Sequence, residues 1–291
     1  MLPWYIVDDV ILRALAEDAH YLDLSCEYLF ESKQMGRAYL LANAPGVMCG
    51  GEIFVRVFML LDEAIEANVL VKDGGAFEKG DILLEIAGPI AALLQGERTA
   101  LNLLQHLCGA ATMTAQVVKA VEGTGAIVCD TRKTLPGLRA LQKYAVTCGG
   151  GRNHRFNLSD GVMLKDNHID ACGSIEKAVQ RVRARIGHMA KIEVETRNLN
   201  EVRQALAAGA DVIMLDNMTV EEMRGAVEYV RAHEKAPVPL EASGDITIEN
   251  AREIASAGVN ILSLGALTHS VKAANISMRM APPGAFGTSP L

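Results

Sequence analysis

The second half of the chain alternates between short apolar runs and longer amphipathic stretches. Continuous apolar runs bounded by polar residues are typical of parallel strands that are buried on both faces. Strands separated by helical stretches predict successive βα units joined by right-handed crossovers. The predicted strands cover residues 126–130, 161–166, 191–195, 211–216, 238–242 and 260–265.

Between these strands, apolar residues recur at the spacing of one helical face. Gly209 and Gly258 stand where helix C-caps are expected. The segments 207–216 and 256–265 align without gaps as helix end, glycine and strand, which supports a repeated βα architecture. The residues predicted to lie on these faces are Ile175, Ala178, Val179, Val182 and Ile186, then Leu199, Val202 and Leu206, then Met223, Ala226, Val227 and Val230.

The first hundred residues follow a different pattern. Residues 72–89 combine close-set glycines with alternating apolar positions, which predicts a small sheet with tight turns. A long helical pattern begins near Ile90, and we place a domain boundary within it, near residues 105–115. The stretch from about Val271 is predicted to lack a strand and to end in a fraying tail rich in proline and glycine.

Composition narrows the class of protein. The chain has 291 residues, half of them hydrophobic, which is enough for a barrel-sized core and a smaller second domain. A net charge of −7 argues against a general nucleic-acid-binding surface. There is no signal-peptide pattern and no apolar run long enough to span a membrane. The six cysteines are scattered, which argues against a zinc site or a disulfide framework and predicts a cytoplasmic protein.

Basic residues collect after the predicted strands, where an α/β barrel carries its active site. Two or more adjacent cations repel one another unless an anion lies between them, so the cluster predicts a polyanionic ligand. The glycines at 149–151 would let backbone N–H groups approach that anion, and Ser243-Gly244 and Gly265-Ala266 resemble phosphate-binding backbone turns. The basic cluster consists of Arg132, Lys133, His154, Arg155 and Lys165.

Two carboxylates, Glu195 and Asp216, end adjacent predicted strands. Beside a phosphate site such a pair commonly holds Mg²⁺, which takes one or two carboxylates together with waters and substrate oxygens. The pair could also stabilise a developing oxocarbenium ion. A third interpretation is that both are ion-pair partners of the basic cluster, and the three remain open at this point.

Residues 131–169 (TRKTLPGLRALQKYAVTCGGGRNHRFNLSDGVMLKDNHI) closely resemble the central signature of the quinolinate phosphoribosyltransferase family. Further blocks match in the right order over nearly the whole chain. They are GERTALNLLQ (96–105), IEVET (192–196), IMLDN (213–217), EASGDI (241–246) and LGALTHS (264–270).

The resemblance implies an α/β protein with an N-terminal α/β sandwich domain (1–108) and an incomplete TIM-like barrel (109–270), followed by a C-terminal segment (271–291) that packs back on the N-terminal domain. It implies a homodimer or higher homo-oligomer with a shared active site. It also implies transfer of a phosphoribosyl group from phosphoribosyl pyrophosphate to quinolinate, with Mg²⁺, giving nicotinate mononucleotide, pyrophosphate and carbon dioxide.

The resemblance also assigns roles to residues. Lys133, Lys165, Glu195 and Asp216 are expected to be catalytic, with Glu195 and Asp216 as metal ligands. Arg98 is expected to reach in from the neighbouring subunit. Asp245 departs from the family pattern, in which a neutral residue is usual. The expected substrate-binding residues are Arg98, Thr131, Arg132, Lys133, His154, Arg155, Lys165, Glu195, Asp216, Ser243, Gly244, Asp245, Leu264, Gly265 and Ala266.

Three alternatives stand beside this interpretation. A paralogue of the same fold is linked to molybdenum transport, and the intact run Lys165-Asp-Asn-His-Ile favours the quinolinate enzyme over it. A Schiff-base aldolase could use Lys165 as its nucleophile. Residues 72–89 also resemble a lipoyl-carrier sandwich, although no lysine stands at a hairpin tip in the required pattern.

Overall fold

The structure is a computed structural model that describes residues 2–31 and 34–281. The chain divides into two compact units. The first comprises the residues up to Ala115, Leu135–Gly150 and the chain from Ser270, and the second comprises Gln116–Thr134 and Gly151–His269. The segment 135–150, which the sequence interpretation placed with the barrel, therefore lies in the first unit.

The first unit contains an antiparallel sheet with the strand order β12-β1-β5-β3 and a two-stranded ribbon of β2 and β4. The strands are β1 (Met35–Ala42), β2 (Gly46–Val47), β3 (Glu66–Val69), β4 (Ala76–Phe77), β5 (Ile82–Pro89) and β12 (Ile276–Met280). The helices are α1 (Trp4–Asp18), α2 (Leu24–Leu29), α3 (Gly51–Met59), α4 (Ile90–Ala120) and α5 (Arg139–Cys148). The predicted sheet in 72–89 and the long helix from Ile90 are confirmed.

Sheet and helices bury one apolar core in this unit. Leu40 and Ile86 project from the sheet, and the rings of Phe54 and Phe58 on α3 pack with centroids 5.1 Å apart. Burial of apolar side chains of this size supplies most of the stability of such a layer. Within the described residues, no helix is both long and apolar enough to cross a membrane.

Strand β12 corrects the prediction that the chain after Val271 lacks a strand. It pairs with β1 in antiparallel register, from Ala42 opposite Ile276 to Ala38 opposite Met280. The two buried side chains of β12, Ile276 and Met278, are separated by Ser277 and followed by Arg279. This short segment therefore lacks the continuous apolar run that identifies the strands of the parallel sheet. Gly109 of α4 leaves space for the segment before β12, since a Cβ there would lie 2.2 Å from the backbone oxygen of Lys272. The predicted fraying tail at 282–291 lies outside the described residues.

The second unit is a six-stranded parallel sheet with the order β6-β11-β10-β9-β8-β7. The first and last strands lie at opposite edges, so the predicted incomplete barrel with fewer than eight strands is confirmed. The strands are β6 (Ile127–Cys129), β7 (Val162–Leu164), β8 (Ile192–Thr196), β9 (Val212–Asp216), β10 (Leu240–Ser243) and β11 (Ile261–Ser263). The helices are α6 (Asp166–Cys172), α7 (Ile175–Arg183), α8 (Leu199–Ala207), α9 (Val220–His233), α10 (Ile248–Ala255) and α11 (Ala266–His269).

Local capping explains where these helices begin and end. The Asn198 side chain accepts a hydrogen bond from the backbone N–H of Glu201 at the start of α8. Gly209, with φ 78°, ends α8, and the following residue Ala210 donates its N–H to the carbonyl of Ala205. This pattern satisfies carbonyls that would otherwise lack partners, and it confirms the predicted glycine cap.

Alternation along the strands gives the sheet two chemically different faces. One face is apolar and buried, as at Val194 and Ile213, which stand opposite each other in the register. The other face carries carboxylates in the middle of strands, including Glu193 in β8 and Glu241 in β10. Side chains at the same register point the same way, so the polar groups gather on one face of the sheet.

We expect Ile276→Ala to lower the free energy of unfolding by about 3 kcal/mol, because Ile276 is 2% exposed and its truncation leaves a cavity beside β1. The control is Arg279→Ala on the same strand, whose side chain is exposed, and it should change stability by less than about 0.5 kcal/mol. Chemical denaturation of the two variants measures both values. Equal effects would show that β12 does not pack as described.

Candidate active site

Two carboxyl groups are buried on the polar face of the parallel sheet. Glu193 and Glu241 are 6% and 2% exposed. The His154 Nε2 atom lies 3.0 Å from Oε2 of Glu193 and 3.6 Å from Oε2 of Glu241. In the described part of the chain, Oε1 of each carboxyl has no hydrogen-bond partner. Burial raises the pKa of Glu241 to about 7, and the negative charge of Glu193 adds to the effect.

The loop that carries His154 fixes the orientation of the imidazole. The His154 backbone N–H donates to Oδ1 of the buried Asp130, and the Arg155 backbone N–H donates to Nδ1 of His154 at 2.7 Å. Because Nδ1 accepts, Nε2 carries the proton that faces the two carboxyls. Arg152 forms an isolated parallel bridge with Cys129 of β6, which attaches the start of this loop to the sheet edge.

The guanidinium group of Arg155 interacts electrostatically with both Arg132 and the buried Glu193 carboxylate. Nη1 of Arg155 donates to the carbonyl of Gly161 at 2.8 Å. Burial lowers the pKa of Arg155, and the positive charge of Arg132 lowers it further, while Glu193 opposes the shift. Two neighbouring positive charges, one of them partly desolvated, are stabilised when an anion binds between them. The arrangement is therefore suited to a ligand with more than one negative charge.

A lysine–glutamate ion pair lies at the neighbouring strand ends. Nζ of Lys165, which follows β7, is 2.9 Å from Oε2 of Glu195. The two side chains are 46% and 12% exposed, so the pair opens to solvent on its lysine side. Glu195 is thus an ion-pair partner of the basic cluster, as one of the three interpretations expects. Asp216 differs, because its Oδ2 accepts a hydrogen bond from the side-chain amide of Asn217 at 3.0 Å.

Strained backbone marks the ends of β9 and β10. Asn217 (φ 53°) and Asp245 (φ 45°) are the non-glycine residues with positive φ in the described ranges. Gly244, with φ 99°, has no room for a side chain, since a Cβ there would lie 2.1 Å from Oδ1 of Asn217. Backbone strain of this kind concentrates at functional sites.

A second close approach occurs after β11. A Cβ on Gly265 would lie 2.9 Å from Cδ of Lys133 and 2.9 Å from Nε2 of His269. The Thr268 hydroxyl donates to the carbonyl of Lys133 at 2.8 Å, which holds the loop after β6 against α11. Gly265 therefore leaves room for the Lys133 side chain at the end of β11, where the family resemblance implies a bound phosphate.

All but one of the predicted site residues lie in the second unit, most of them in or just after the carboxyl ends of its strands. Arg98 is the exception, being exposed on α4 in the first unit. Thr131, Arg132 and Lys133 follow β6, His154 and Arg155 lie in the loop before β7, and Lys165 follows β7. Glu195 and Asp216 lie at the ends of β8 and β9. Ser243, Gly244 and Asp245 end or follow β10, and Leu264, Gly265 and Ala266 follow β11.

Sequence reasoning did not select the buried acids Asp130, Glu193 and Glu241 as site residues. The alternation of side chains between the two faces of a strand would have identified two of them. Glu193 and Glu195 are two residues apart in β8 and so point to the same face, and Glu241 stands level with Met214 of that face. A charged residue inside a parallel strand is costly unless a partner offsets the charge, so its presence indicates a site.

We expect stability to fall as the pH rises through the titration of Glu241. Its pKa is raised from 4.5 to about 7, so between those values the folded chain binds a proton that the unfolded chain has lost. Glu241→Gln mimics the protonated acid. Relative to the unchanged protein, this variant should gain up to about 3 kcal/mol of unfolding free energy between pH 4.5 and 7.5.

Denaturation curves across that pH range measure the difference. Glu228→Gln, an exposed substitution in the same unit, serves as the control and should follow the unchanged protein at every pH. If the difference in unfolding free energy between Glu241→Gln and the unchanged protein stays constant across this pH range, the pKa of the Glu241 carboxyl is not raised by folding.

Comparison with known proteins agrees with this geometry. The C-terminal domain of quinolinate phosphoribosyl transferase matches residues 110–279, and its N-terminal domain matches residues 23–108. A relative from Bacillus subtilis (strain 168), named as a probable carboxylating nicotinate-nucleotide pyrophosphorylase, is 47% identical over 90% of this chain and 89% of its own. The carboxylating nicotinate-nucleotide pyrophosphorylase of Mycobacterium leprae is 42% identical over 93% of this chain and 95% of its own.

A solved structure agrees over almost the full length. The crystal structure of NadC from Streptococcus pyogenes matches with a TM-score of 0.91 and 41% sequence identity, covering 97% of this chain and 98% of that one. Both domain matches and the full-length relatives agree with the order of sequence blocks and with the polar strand ends. The chain belongs to the quinolinate phosphoribosyltransferase family.

Proposed function

We propose that this chain transfers a phosphoribosyl group from phosphoribosyl pyrophosphate to quinolinate, with decarboxylation, in NAD biosynthesis. The products are nicotinate mononucleotide, pyrophosphate and carbon dioxide. It is a pentosyltransferase of the kind that its relatives, named as carboxylating nicotinate-nucleotide pyrophosphorylases, represent. The observation that carries the proposal is the half-buried Arg155, which interacts electrostatically with the exposed Arg132 and with Glu193 of the Glu193–His154–Glu241 cluster.

Quinolinate has two adjacent carboxylates, so its pocket must offset about two negative charges. Arg132 and Arg155 are suited to this role, because guanidinium forks bind carboxylates in bidentate fashion. Nε2 of His154 faces the buried carboxyls of Glu193 and Glu241. We propose that the imidazole ring forms one wall of the quinolinate pocket. We propose that Thr131 and the charged side chains of Lys133 and Lys165 contact the other anionic groups of the two substrates.

The ribose 5-phosphate is proposed to bind where backbone can approach closely. The candidate segments are Ser243 to Asp245 and Leu264 to Ala266, where Gly244 and Gly265 leave no space for a Cβ. Asp245 would contribute a backbone N–H, and its positive φ sets the direction of that group. Its carboxylate is the one feature of these turns that a phosphate would not favour.

Glu195 and Asp216 fit Mg²⁺ as a donor set, and we propose them as the residues that would hold it directly or through water. Each uses one carboxylate oxygen in the contacts described above. Mg²⁺ commonly takes one or two carboxylates and completes its shell with waters and substrate oxygens. The ion would offset the charge of the pyrophosphate. Both carboxylates also lie where they could stabilise positive charge on the ribose ring.

The chemistry then depends on positioning and electrostatics. Departure of pyrophosphate leaves a cationic ribosyl centre, which Glu195 and Asp216 would stabilise. The pyridine nitrogen attacks C1 of the ribose, the bond between C2 and its carboxylate then breaks to release carbon dioxide, and the electron pair left at C2, stabilised by the adjacent ring cation, takes up a proton from solvent. Catalytic roles for Lys133 and Lys165 follow from their charge beside the departing and retained anions.

Arg98 and the assembly belong to the proposal as well. Arg98 is exposed on α4, so it is available to a second subunit. We propose a homodimer or larger homo-oligomer in which Arg98 completes the partner's site. We also propose a cytoplasmic location, since no disulfide joins any of the six cysteines, all of which lie in the described ranges, and this suits a reducing compartment.

The aldolase alternative is weaker in light of the contacts of Lys165. A Schiff-base nucleophile must lose its proton, whereas Nζ of Lys165 forms an ion pair with Glu195 at 2.9 Å. The named relatives are carboxylating nicotinate-nucleotide pyrophosphorylases, which disfavours the paralogue linked to molybdenum transport.

The decisive assay is formation of nicotinate mononucleotide from quinolinate and phosphoribosyl pyrophosphate, with nicotinate as the control substrate. Arg132→Ala should reduce kcat/KM for quinolinate at least about 100-fold, because it leaves a carboxylate without its cationic partner. Arg224→Ala on α9, with a side chain 51% exposed, is the matched control and should keep full activity.

Turnover of nicotinate but not of quinolinate would overturn the proposed reaction. Near-normal kinetics for Arg132→Ala would leave the reaction standing but would remove Arg132 from the quinolinate pocket.

A further inference from the structure

A pair of cysteines lies apart from the proposed active-site residues, in the first unit. The thiol sulfurs of Cys49 and Cys148 and a carboxylate oxygen of Asp73 all lie within 4.8 Å of one another. The spacing of the cysteines along the chain gave no sign of this close approach, which depends on how the fold packs Cys49 against Cys148. Cys49 is fully buried and Cys148 is half-buried, so one thiol is shielded and the other is reachable.

The elements on either side hold the two sulfurs in place. Cys49 directly precedes Gly50, the N-cap of α3, and Cys148 is the last residue of α5. The Cys49 backbone N–H donates to Sγ of Cys108 at 3.3 Å, and that thiol donates to the Cys49 carbonyl at 3.5 Å. Cys108 is therefore occupied with the backbone of Cys49 and anchors it beside Cys148.

Asp73 completes a polar setting for the thiols without being free to bind a metal. Its Oδ1 accepts the backbone N–H groups of Gly50 and Gly51 at 2.9 and 3.1 Å. Its Oδ2 accepts the Tyr144 hydroxyl at 2.7 Å. Three donors already use this carboxylate, and it caps the N-terminus of α3. The arrangement favours chemistry between the two sulfurs over a metal site.

The two thiols differ in the way that a reactive pair requires. A hydrogen bond from the Cys49 thiol lowers the pKa of Cys148 and outweighs the opposing effects of burial and of the negative charge of Asp73. Burial raises the pKa of Cys49. Burial also raises the pKa of Cys26 to about 11 and that of Cys108 to about 12, which makes these two poor nucleophiles.

A small cavity lies beside the cluster. It has a volume of about 30 Å³, and Asp73 and Tyr144 are among its lining residues, with Glu52 as a further polar group. A volume of that size accommodates about one water-sized molecule. The cavity therefore gives a small molecule access to Asp73 and Tyr144, and the Cys148 side chain is itself partly exposed.

We propose that Cys49 and Cys148 form a reversible disulfide when the protein meets a hydroperoxide such as hydrogen peroxide. The Cys148 thiolate attacks one peroxide oxygen, the O–O bond breaks, and hydroxide leaves, which gives the sulfenic acid at Cys148. The Cys49 thiol then attacks that sulfur, the S–O bond breaks, and water leaves as the disulfide forms. Overall, two thiols lose two electrons and two protons, and the peroxide is reduced to two waters.

The test uses the full-length protein, reduced and then treated with hydrogen peroxide, followed by alkylation of the remaining thiols and peptide mapping by mass spectrometry. The unchanged protein should lose two of its six thiols and yield one cross-linked peptide pair that contains Cys49 and Cys148. Dithiothreitol should restore all six thiols. The oxidised protein should also show a higher Tm, because the cross-link restricts the unfolded chain.

Single variants give a matched set. Cys49→Ala and Cys148→Ala should form no cross-linked pair, whereas Cys172→Ala, which removes another half-buried cysteine, should form it fully. Circular dichroism shows whether each variant is folded, and the peptide map of the unchanged protein tests the proposal without any variant. A Cys49–Cys108 pair, oxidation of Cys148 to the sulfinic acid without a cross-link, or no loss of thiols would each overturn the proposal.

Discussion

The site depends on two carboxyl groups that are buried in the interior of a parallel sheet. A buried carboxylate costs several kcal/mol unless a cation or donor offsets its charge. Glu193 and Glu241 meet this requirement in different ways, because His154 contacts Glu193 most closely and the raised pKa of Glu241 favours its neutral form. The loop contacts of His154 orient the imidazole toward both acids, and the negative charge of Glu193 favours the charged form of Arg155.

The geometry of the strand ends follows from that arrangement. Because Glu193 and Glu241 are buried in the sheet, the arginines and lysines of the basic cluster can interact with an anion from solvent. Glycine at positions 244 and 265 allows side chains and backbone to approach closely where bulkier residues would collide. The strand ends therefore carry cations together with the carboxylates of Glu195 and Asp216, and Lys165 is paired with Glu195. This combination of charges suits a reaction between an aromatic dianion and a phosphorylated sugar.

Much of the fold could be predicted from sequence because buried parallel strands are continuous apolar runs. All six strands of the incomplete barrel were found that way, although Lys165 proved to be the N-cap of α6 and not part of β7. Strand β12 was missed because an edge strand with one buried face has only a weak signal in five residues. The position of the basic cluster was predictable, since strand ends converge on one face. Its contacts were not, because a hydrogen bond such as that from His154 to Glu193 depends on loop conformation. The approach of Cys49 to Cys148 depends likewise on how distant elements pack.

The central claim is that the cationic pocket recognises two adjacent carboxylates on one ring. Calorimetric titration of the protein with quinolinate and with nicotinate, which lacks the second carboxylate, tests it directly. A second charge-assisted hydrogen-bonded contact contributes about 1.5–3 kcal/mol, so quinolinate should bind at least about 10-fold more tightly. Equal affinity for the two ligands, or tighter binding of nicotinate, would contradict the account.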